Sequence, residues 1–557
     1  MLLPETLIND EAVNRKGHRL VVTVASVIEP FLTLQHRDGH SQHPPELIPG
    51  TQIDVMLEGK HNFTEEGNDQ FWASARLVKL VDVDESFAAI RSIIDASSGI
   101  MELGWSLTAL ENGDSLSTNR VSITRIAVLS VSLAQKVHSK EEPLNVAVSF
   151  LDKLGKPIIA IGSPFGVLSP VHFFNCVSKG SLANSSNSLL IADMKCLPGM
   201  EGSPVFCEPS DLIGILIEPL KQATTGAEIQ LVIPWNTLAA ACDDLLRGTQ
   251  SLVCISSSSP VAKPTASVCL ITMEGGVWAS GVVINELGLV LTNSHLVEPW
   301  RFGKAKEDNL FKLKDGSRNI RVRLDIAGAP IWVEAKVVYV CRGPLDVALL
   351  QTVSVPGKIS PVEVEFAFPS IGESAQVVGH GIFGPKSGLW PSVWSGVVAK
   401  VVWAGAPPYL EGKGQSKVPA MIETTAAVHP GGSGGAVLNA DGRMIGLVTS
   451  NARHVGGAII PHLNFSIPSA LLLPIFEFSK DMKNMSLLES FDDANEELSS
   501  MWALVSPDPP RPVVRDLHAQ EKGVKFAKFL ADRNEVIGAN SIKLANNSLQ
   551  RNIFCKL

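Results

Sequence analysis

The chain repeats itself across a Ser- and Pro-rich stretch near its middle, SSSSPVAKPTAS at residues 256–267. Five short segments before this stretch match five segments after it, in the same order. The pairs are VVTVASVIEPF with VLTNSHLVEPW, TRIAVL with LDVALL, AIGSPFG with VVGHGIFG, PGMEGSPVF with PGGSGGAVL, and LVIPW with FSIPS. One such pair would be noise, but five collinear pairs indicate that a whole domain has been duplicated.

Short runs rich in Val and Ile alternate with clusters of Gly, Pro, Ser and Asn in both halves, as in AKVVYV and GRMIGLVTSN. This alternation predicts many short antiparallel strands and a mainly β fold. A chain of 557 residues is too long for one core, since most domains hold about 100–150 residues. We therefore predict two tandem β domains, 1–248 and 268–478, joined by a linker, 249–267, and followed by a polar, partly helical tail, 479–557.

Composition excludes several classes of protein. The net charge of −9 argues against a nucleic-acid partner, because binding to phosphates needs clustered Lys and Arg. No stretch approaches about 18 uninterrupted apolar residues, so no membrane span is predicted, and no secretory signal pattern opens the chain. Eight thinly spread cysteines favour a reducing compartment. No His, Cys and acidic cluster has ligand spacing, so we predict neither a metal nor a cofactor.

The two ends of the chain also carry predictions. The last three residues, Cys555, Lys556 and Leu557, differ in one residue type from Ser-Lys-Leu, the address read by the peroxisomal import receptor. The alternative is an arbitrary tail. The first repeat begins so close to the start of the chain that its initial strand is expected to be missing. This predicts a shortened product or gene model.

The motif PGGSGGAV in the second half supplies what an acyl-transfer nucleophile needs. The hydroxyl of Ser433 lies on a tight turn between glycines, which let a substrate backbone come close. The N–H groups of Gly431 and Ser433 can then point at one place and form an oxyanion hole. A Gly-Ser-Gly turn taken alone is usually just a turn, so this interpretation needs support from the rest of the chain.

Two further residues supply that support. His295, in TNSHLV, follows the apolar strand GLVLT and can enter a cleft at the sheet edge, where imidazole is a natural acceptor of a serine proton. Asp346, in GPLDVALLQ, opens an alternating strand, and a carboxylate there is costly unless something pairs with it. A histidine Nδ1–H is a suitable partner. The alternatives are a capped loop histidine and a strand cap or surface carboxylate.

The order His295, Asp346, Ser433 is the chymotrypsin-type order. TNSHLV, LDVALL and PGGSGG, with NFSIP after them, look like the histidine, aspartate and serine blocks of the Deg/HtrA branch of trypsin-like proteases, over about Val268 to Leu473. The resemblance implies two tandem trypsin-like domains, each a double antiparallel β-barrel. The chain departs from the family at Gly432, where asparagine is commoner.

The α/β-hydrolases are a competing class, because GGSGG also satisfies their G-x-S-x-G elbow. That fold places its acid and histidine after the serine. Asp441, His454 and His462 do follow, but too soon to lie on separate strands. The strand-helix alternation of a parallel sheet is also missing, so we disfavour this class.

The first half has lost the same three residues. Its repeat places Ser26 opposite His295, Arg125 opposite Asp346 and Glu201 opposite Ser433. The nearby serine of EGSPV stands two positions beyond the nucleophile site, and a hydroxyl without a general base is inert. We interpret the first domain as a degenerate protease domain, kept for packing, substrate presentation or regulation, or as an ordinary structural domain.

The degenerate first domain and the C-terminal tripeptide together resemble glyoxysomal (peroxisomal) processing proteases. That resemblance implies a matrix location and protein substrates, namely imported precursors whose N-terminal presequences are removed, commonly after a cysteine. It also implies a primary specificity pocket, here lined by small, uncharged residues that suit Cys, Ser or Ala in the substrate: Ala427, Thr449, Ser450 and Asn451. Many Deg/HtrA proteins carry a C-terminal PDZ module, which the polar tail lacks; a homo-oligomer is left open.

Two functions from different classes follow. The first is an active serine endopeptidase that removes presequences in the peroxisomal matrix. The second is a chaperone-like or scaffold protein whose second half is also impaired, through Gly432 or a missing first strand. Labelling of Ser433 by a serine-directed probe separates them.

Overall fold

The fold is known from a computed structural model. It describes residues 18–37, 45–59, 69–97, 105–107, 123–132, 146, 153–165, 168–207, 211–222, 227–246, 262–273, 276–299, 319–326, 329–355, 357–411, 416–453, 459–493 and 495–503. The predicted targeting residues Cys555, Lys556 and Leu557 lie outside these ranges.

The first half holds a four-stranded antiparallel sheet and a six-stranded ring. The sheet has the order β1-β5-β3-β2, and the ring has the order β6-β7-β8-β11-β10-β9, with β4 added along β10. The strands are β1 (His18–Val24), β2 (Ile53–Gly59), β3 (Asp69–Asp82), β4 (Trp105–Leu107), β5 (Arg125–Ser132), β6 (Pro157–Gly162), β7 (Cys176–Ser185), β8 (Leu190–Met194), β9 (Pro204–Cys207), β10 (Asp211–Gln222) and β11 (Glu228–Pro234).

The second half holds two closed six-stranded barrels. Their orders are β12-β13-β14-β17-β16-β15 and β18-β19-β20-β23-β22-β21. The strands are β12 (Val268–Met273), β13 (Trp278–Val283), β14 (Leu289–Thr292), β15 (Ile320–Ile326), β16 (Ala329–Val340), β17 (Ala348–Thr352), β18 (Ser374–Gly379), β19 (Ser392–Gly405), β20 (Lys417–Thr424), β21 (Ala436–Leu438), β22 (Met444–Arg453) and β23 (Ile459–Pro468).

Helices are short and lie between or after the strands. The α-helices are α1 (Leu34–Arg37), α2 (Asp84–Ser97), α3 (Pro170–Phe173), α4 (Trp235–Ala241), α5 (Ala262–Thr265), α6 (Ser294–Val297), α7 (Pro408–Glu411), α8 (Leu473–Phe478), α9 (Ser486–Glu489) and α10 (Glu496–Trp502). Turns of 3₁₀-helix cover Ala25–Val27, Glu29–Phe31, Pro385–Ser387 and Ser469–Leu472. The predicted mainly β class, with some helix toward the C-terminus, is confirmed.

The two halves share one strand topology. The ring of the first half and the second barrel of the second half connect their six strands in the same order. The first sheet corresponds to β14-β17-β16-β15, and its register agrees with the sequence repeat: Thr23 pairs with Ala127 as Thr292 pairs with Ala348. Within the described residues, this sheet has no counterparts of β12 and β13.

Buried apolar residues join the halves. One continuous core cluster contains Ile90, Trp105 and Leu220 from the first half together with Phe383 and residues 426–428 from the second. Such burial stabilises by about 25 cal/mol per Å² of apolar surface. Hydrogen bonds also cross the boundary between the halves, as where Asn184 Nδ2 donates to Ser392 Oγ (2.8 Å). The first half is therefore packed against the second over an apolar surface.

The packed structure continues past residue 478 into the segment assigned to the tail. Leu488, Phe491, Leu498 and Trp502 are buried against the second half. Tyr339 Oη donates to the side chain of Asp492 (2.7 Å). These apolar contacts explain why α9 and α10 lie on the barrels although their sequence is largely polar.

Two other features, a metal-binding cluster and a membrane-spanning helix, are absent from the described residues. Nowhere in those residues do three His, Cys, Asp or Glu side chains come together in a way that could hold a metal ion. None of the helices described is long and apolar enough to cross a membrane.

Candidate active site

Strand pairing brings His295 and Asp346 together. His295 lies in α6 just after β14, and Asp346 lies just before β17. These strands are antiparallel neighbours, so the end of β14 meets the beginning of β17. The imidazole Nδ1 of His295 lies 2.5 Å from Oδ2 of Asp346. The contact that the sequence predicts between these two side chains is therefore present.

Hydrogen bonds hold the Asp346 carboxylate in one orientation. Its Oδ1 accepts from the hydroxyl of Ser294 (2.7 Å) and from the backbone N–H of His295 (2.8 Å), which leaves Oδ2 for the imidazole. Burial opposes ionisation of this group. The attraction of His295 and these hydrogen bonds outweigh burial and hold the pKa of Asp346 below its usual value. The carboxylate is thus ionised at neutral pH.

Two successive turns shape the segment around Ser433. Gly432 N donates to His429 O (2.9 Å), and Gly435 N donates to Gly432 O (3.0 Å). The third residue of each turn has a positive φ, 91° at Gly431 and 80° at Gly434. That conformation at the third position is the mark of a type II turn and favours glycine. Gly431 and Gly434 are therefore required by the backbone.

Strand β13 of the first barrel anchors this double turn. Ser280 N donates to Ser433 O (2.8 Å), and the hydroxyl of Ser280 donates to Gly431 O (2.8 Å). Thr292, three residues before the histidine, lies beside Gly434, where an added Cβ would approach its Oγ1 to 2.6 Å. The turn that carries Ser433 thus lies at the junction of the two barrels, next to the strand that leads to His295.

The hydroxyl of Ser433 donates to the carbonyl oxygen of Thr449 at 3.1 Å. Asn293 connects the same region to the acid, because its Nδ2 donates to Asp346 O (2.9 Å) and reaches Thr449 Oγ1 at 3.5 Å. Ser433 and the His295–Asp346 pair are therefore linked through Thr449 and Asn293.

The first half has the same double turn, with Glu201 at the position that Ser433 holds in the second half. Gly199 and Gly202 have φ values of 91° and 85°. The backbone bonds Met200 N to Leu197 O and Ser203 N to Met200 O match those of the second half. Glu201, at the nucleophile position, turns its carboxylate back and accepts from Gly199 N (2.9 Å).

That contact bears on the predicted oxyanion hole. Gly199 is the counterpart of Gly431, so the equivalent amide in the first half already binds a negatively charged oxygen. Among the described residues, the amides of Gly431 and Ser433 have no protein acceptor. These two amides are therefore available to donate to an anionic oxygen of a ligand.

The remaining first-half positions have a different chemistry. Arg125, opposite the aspartate, is buried and donates to both carboxylate oxygens of Asp82 at 2.7 and 3.1 Å. Ser26, opposite the histidine, is exposed. A cation and a hydroxyl cannot replace an acid and a base, so this site has no proton acceptor at the histidine position.

Sequence reasoning missed several supporting residues, namely Asn293, Ser294 and Ser280. All three are buried. A signal was available for two of them, because Asn293 and Ser294 are consecutive polar residues at the end of an apolar strand. Buried polar groups need hydrogen-bond partners, so such a cluster indicates a network around the next residue.

The residues predicted to line a specificity pocket lie near the nucleophile turn. Ala427 is buried six residues before Ser433, and Thr449 and Ser450 are buried on β22. Asn451 follows them and donates from Nδ2 to Val428 O (2.8 Å). Their role in selecting a substrate stays a prediction.

Gly431→Ala tests the predicted oxyanion turn. An added Cβ would collide with the indole nitrogen of Trp278 and approach His380 O to 2.8 Å, so the turn must shift. We expect hydrolysis and labelling by a serine-directed probe to fall about 100-fold or more, as when an oxyanion donor is lost. Gly372→Ala is the control, because Gly372 has a similar φ of 86° but open space around it. Equal activity of the two variants would contradict the prediction.

The closed barrels and the His295–Asp346 pair near Ser433 are typical of trypsin-like peptidases, and a comparison with protein families agrees with this class. Residues 279–447 match the trypsin-like peptidase domain. The second half of the chain is thus similar to trypsin-like peptidase domains over these residues.

Particular relatives share more of the chain. It is 31% identical over 391 residues to a human protein named peroxisomal leader peptide-processing protease, and 30% identical over 380 residues to the mouse protein of that name. These alignments cover 68% and 63% of this chain and 66% and 60% of the relatives. The chain therefore spans slightly less than two thirds of the relatives it matches. It is also 30% identical to the periplasmic pH-dependent serine endoprotease DegQ of Escherichia coli, over 34% of each chain.

Proposed function

We propose that the chain is a serine endopeptidase of the peroxisomal matrix that removes N-terminal presequences from imported proteins. The observation that carries the proposal is the 2.5 Å contact between His295 Nδ1 and Asp346 Oδ2, together with the double turn that carries Ser433. The names of the relatives support the location and the kind of substrate.

The proposed reaction proceeds through an acyl-enzyme. Ser433 rotates from Thr449 O toward His295, whose Nε2 accepts the hydroxyl proton while Oγ attacks the substrate carbonyl carbon. The amides of Gly431 and Ser433 stabilise the oxyanion. His295 returns the proton to the leaving amine, and water then hydrolyses the ester by the same route. Asp346 fixes the tautomer and stabilises the charged imidazole.

Substrate choice is proposed to depend on the small, uncharged residues near the turn. Ala427, Thr449, Ser450 and Asn451 bring no charge to the pocket that this fold forms beside its nucleophile. A small neutral side chain such as Cys, Ser or Ala before the scissile bond would then bind better than Lys or Asp, because a charged group would lose its hydration without gaining an ionic partner.

The C-terminal residues Cys555, Lys556 and Leu557 are proposed to bind the peroxisomal import receptor. Appending this tripeptide to a fluorescent cargo is expected to direct the cargo to peroxisomes. Replacing the last residue, as in Leu557→Ala, is expected to leave the cargo in the cytosol. A cytosolic distribution of both cargoes would contradict this part of the proposal.

The experiment that tests the proposal is the mapping of new N-termini. Purified full-length protein is incubated with candidate matrix precursors, and the products are analysed by N-terminal sequencing or mass spectrometry. We expect cleavage at one site near the N-terminus of a true substrate and none with Ser433→Ala. Binding of precursors without cleavage would favour the scaffold function instead.

A further inference from the structure

A tryptophan of the first half is inserted beside the active-site turn of the second. Trp105, in the three-residue strand β4, is 4% exposed. Its Nε1 donates to the carbonyl oxygen of Ile382 at 3.1 Å. Its ring lies 5.9 Å from the ring of Phe383 and 6.1 Å from that of His429. Trp105 therefore belongs to the first half by sequence and to the second by these contacts.

The loop that receives Trp105 is strained. Ile382 has a φ of 85° although it is β-branched, and it is fully buried. Such a conformation persists only where the surroundings fix it. Its N–H donates to Pro430 O (3.3 Å), and its carbonyl accepts the Trp105 N–H. Among the residues that the structure describes, Trp105 is thus one of two hydrogen-bond partners that hold this backbone.

The same loop forms the back of the nucleophile turn. Pro430, the acceptor of the Ile382 N–H, opens the segment that leads to Ser433. A Cβ on Gly381 would lie 3.3 Å from His429 O, and one on Gly379 would lie 3.4 Å from Gly432 Cα. The hydroxyl of Ser280 also joins the two segments, because it accepts from His380 N (2.8 Å) and donates to Gly431 O (2.8 Å). A shift of the loop is therefore passed directly to the turn.

His429 makes a second connection. Its imidazole lies 4.6 Å from the ring of Trp394 and is also in contact range of Trp105. Its carbonyl oxygen accepts from Gly432 N, the bond that closes the first type II turn. Trp105 therefore contacts both residues that flank the turn, Ile382 by a hydrogen bond and His429 by ring packing.

We propose that Trp105 is a positioning residue for the oxyanion turn, so that the degenerate first half acts as an intramolecular clamp on the protease site. The proposal rests on the function proposed above and adds a role for the first half. Trp105 touches neither substrate nor the reacting atoms; it holds Ile382 and His429, which border the turn that carries the amides of Gly431 and Ser433.

Other contacts between the halves do not explain this arrangement. Asn184 donates to Ser392 Oγ, and Gln376 donates to Gly155 O (3.3 Å). These bonds join the halves without touching the turn. Packing alone would be satisfied by any apolar side chain, whereas a buried N–H aimed at the carbonyl of a strained residue gives a directional constraint.

Trp105→Phe is the test, because it keeps an aromatic ring and removes the donor. Trp235→Phe is the matched control. Trp235 is also fully buried in the first half, and among the described residues its Nε1 has no hydrogen-bond partner. Both variants are compared with the wild-type full-length chain by thermal unfolding, by hydrogen exchange of the peptides covering 379–383 and 429–435, and by hydrolysis of a quenched peptide with alanine before the scissile bond.

We expect Trp105→Phe to increase exchange in both peptides and to lower kcat about tenfold, the effect of one lost hydrogen bond. KM and the acid-side midpoint of the pH profile are expected to stay unchanged, because His295 is not affected. Trp235→Phe is expected to change only the unfolding temperature. Equal exchange in the two variants, or a kcat for Trp105→Phe equal to that of the wild type, would overturn the proposal.

Failure of the proposed function gives a different result. A wild-type protein that neither cleaves peptides nor reacts with a serine-directed probe would contradict the enzyme. The exchange comparison would still decide whether Trp105 holds the turn. If Trp105→Phe unfolds at the assay temperature, the three measurements are made below its unfolding temperature, with the same expectations and the same control.

Discussion

Replacing Ser433 with alanine is expected to abolish hydrolysis and probe labelling, with a loss of at least about 10⁴-fold in kcat. The hydroxyl is the atom that must form the acyl-enzyme, and neither glycine neighbour can replace it. The change in stability is expected to be small, on the order of 1 kcal/mol, because only the bond from Oγ to Thr449 O is lost. Active-site labelling and a thermal unfolding curve measure the two effects.

Ser203→Ala is the control for this variant. Ser203 stands in the corresponding turn of the first half, where its backbone pairs with Met200 and Leu216 as that of Gly435 pairs with Gly432 and Val448. We expect unchanged labelling, since no histidine serves that serine. Labelling that survives in Ser433→Ala and disappears in Ser203→Ala would place the nucleophile in the first half and contradict the role of Ser433.

The elements that the sequence predicts well are those determined by short patterns. The backbone of PGGSGG needs glycine where φ is positive, and a strand that ends in TNSHLV brings His295 to a sheet edge. Both are local consequences of residue type. The repeat then predicts that the two domains share one strand order, because duplicated segments in the same order fold in the same way.

The contacts that the sequence does not predict join residues far apart in the chain. Trp105 meets Ile382 across 277 positions, and no periodicity in a three-residue strand indicates that partner. Glu201 is similar: its place in the repeat shows a lost nucleophile, but not that its carboxylate binds the Gly199 amide. Side-chain directions of this kind are set by packing between domains, which a one-dimensional pattern does not contain.

Asp346→Asn is expected to lower kcat about 10⁴-fold while the fold is kept. The Ser294 hydroxyl and the His295 N–H both donate to Oδ1, so the amide oxygen of asparagine takes that place. Its NH₂ group then faces His295 Nδ1. Nδ1 must accept that bond, which forces the proton onto Nε2 and prevents the imidazole from accepting the serine proton.

The pH dependence separates the roles of the two groups. A carboxyl whose pKa is lowered on folding stabilises the native state at any pH above its pKa in the unfolded chain. That contribution is lost as the pH falls through its pKa in the folded state. Asp346 therefore stays ionised throughout the neutral range. A general base must be unprotonated to accept the serine proton, so an activity that kept rising toward acid pH would contradict the role of His295 as the base.

Asp325→Asn is the control for the loss of a buried carboxylate. Asp325 lies in the same barrel, with a side chain 3% exposed, but it pairs with Arg323 rather than with a histidine. We expect this variant to be less stable, because the arginine keeps its charge without the carboxylate that neutralised it, and to retain its kcat when the folded fraction is measured. A loss of kcat as large as that of Asp346→Asn would mean that burial of charge in this barrel, and not the imidazole tautomer, sets the rate.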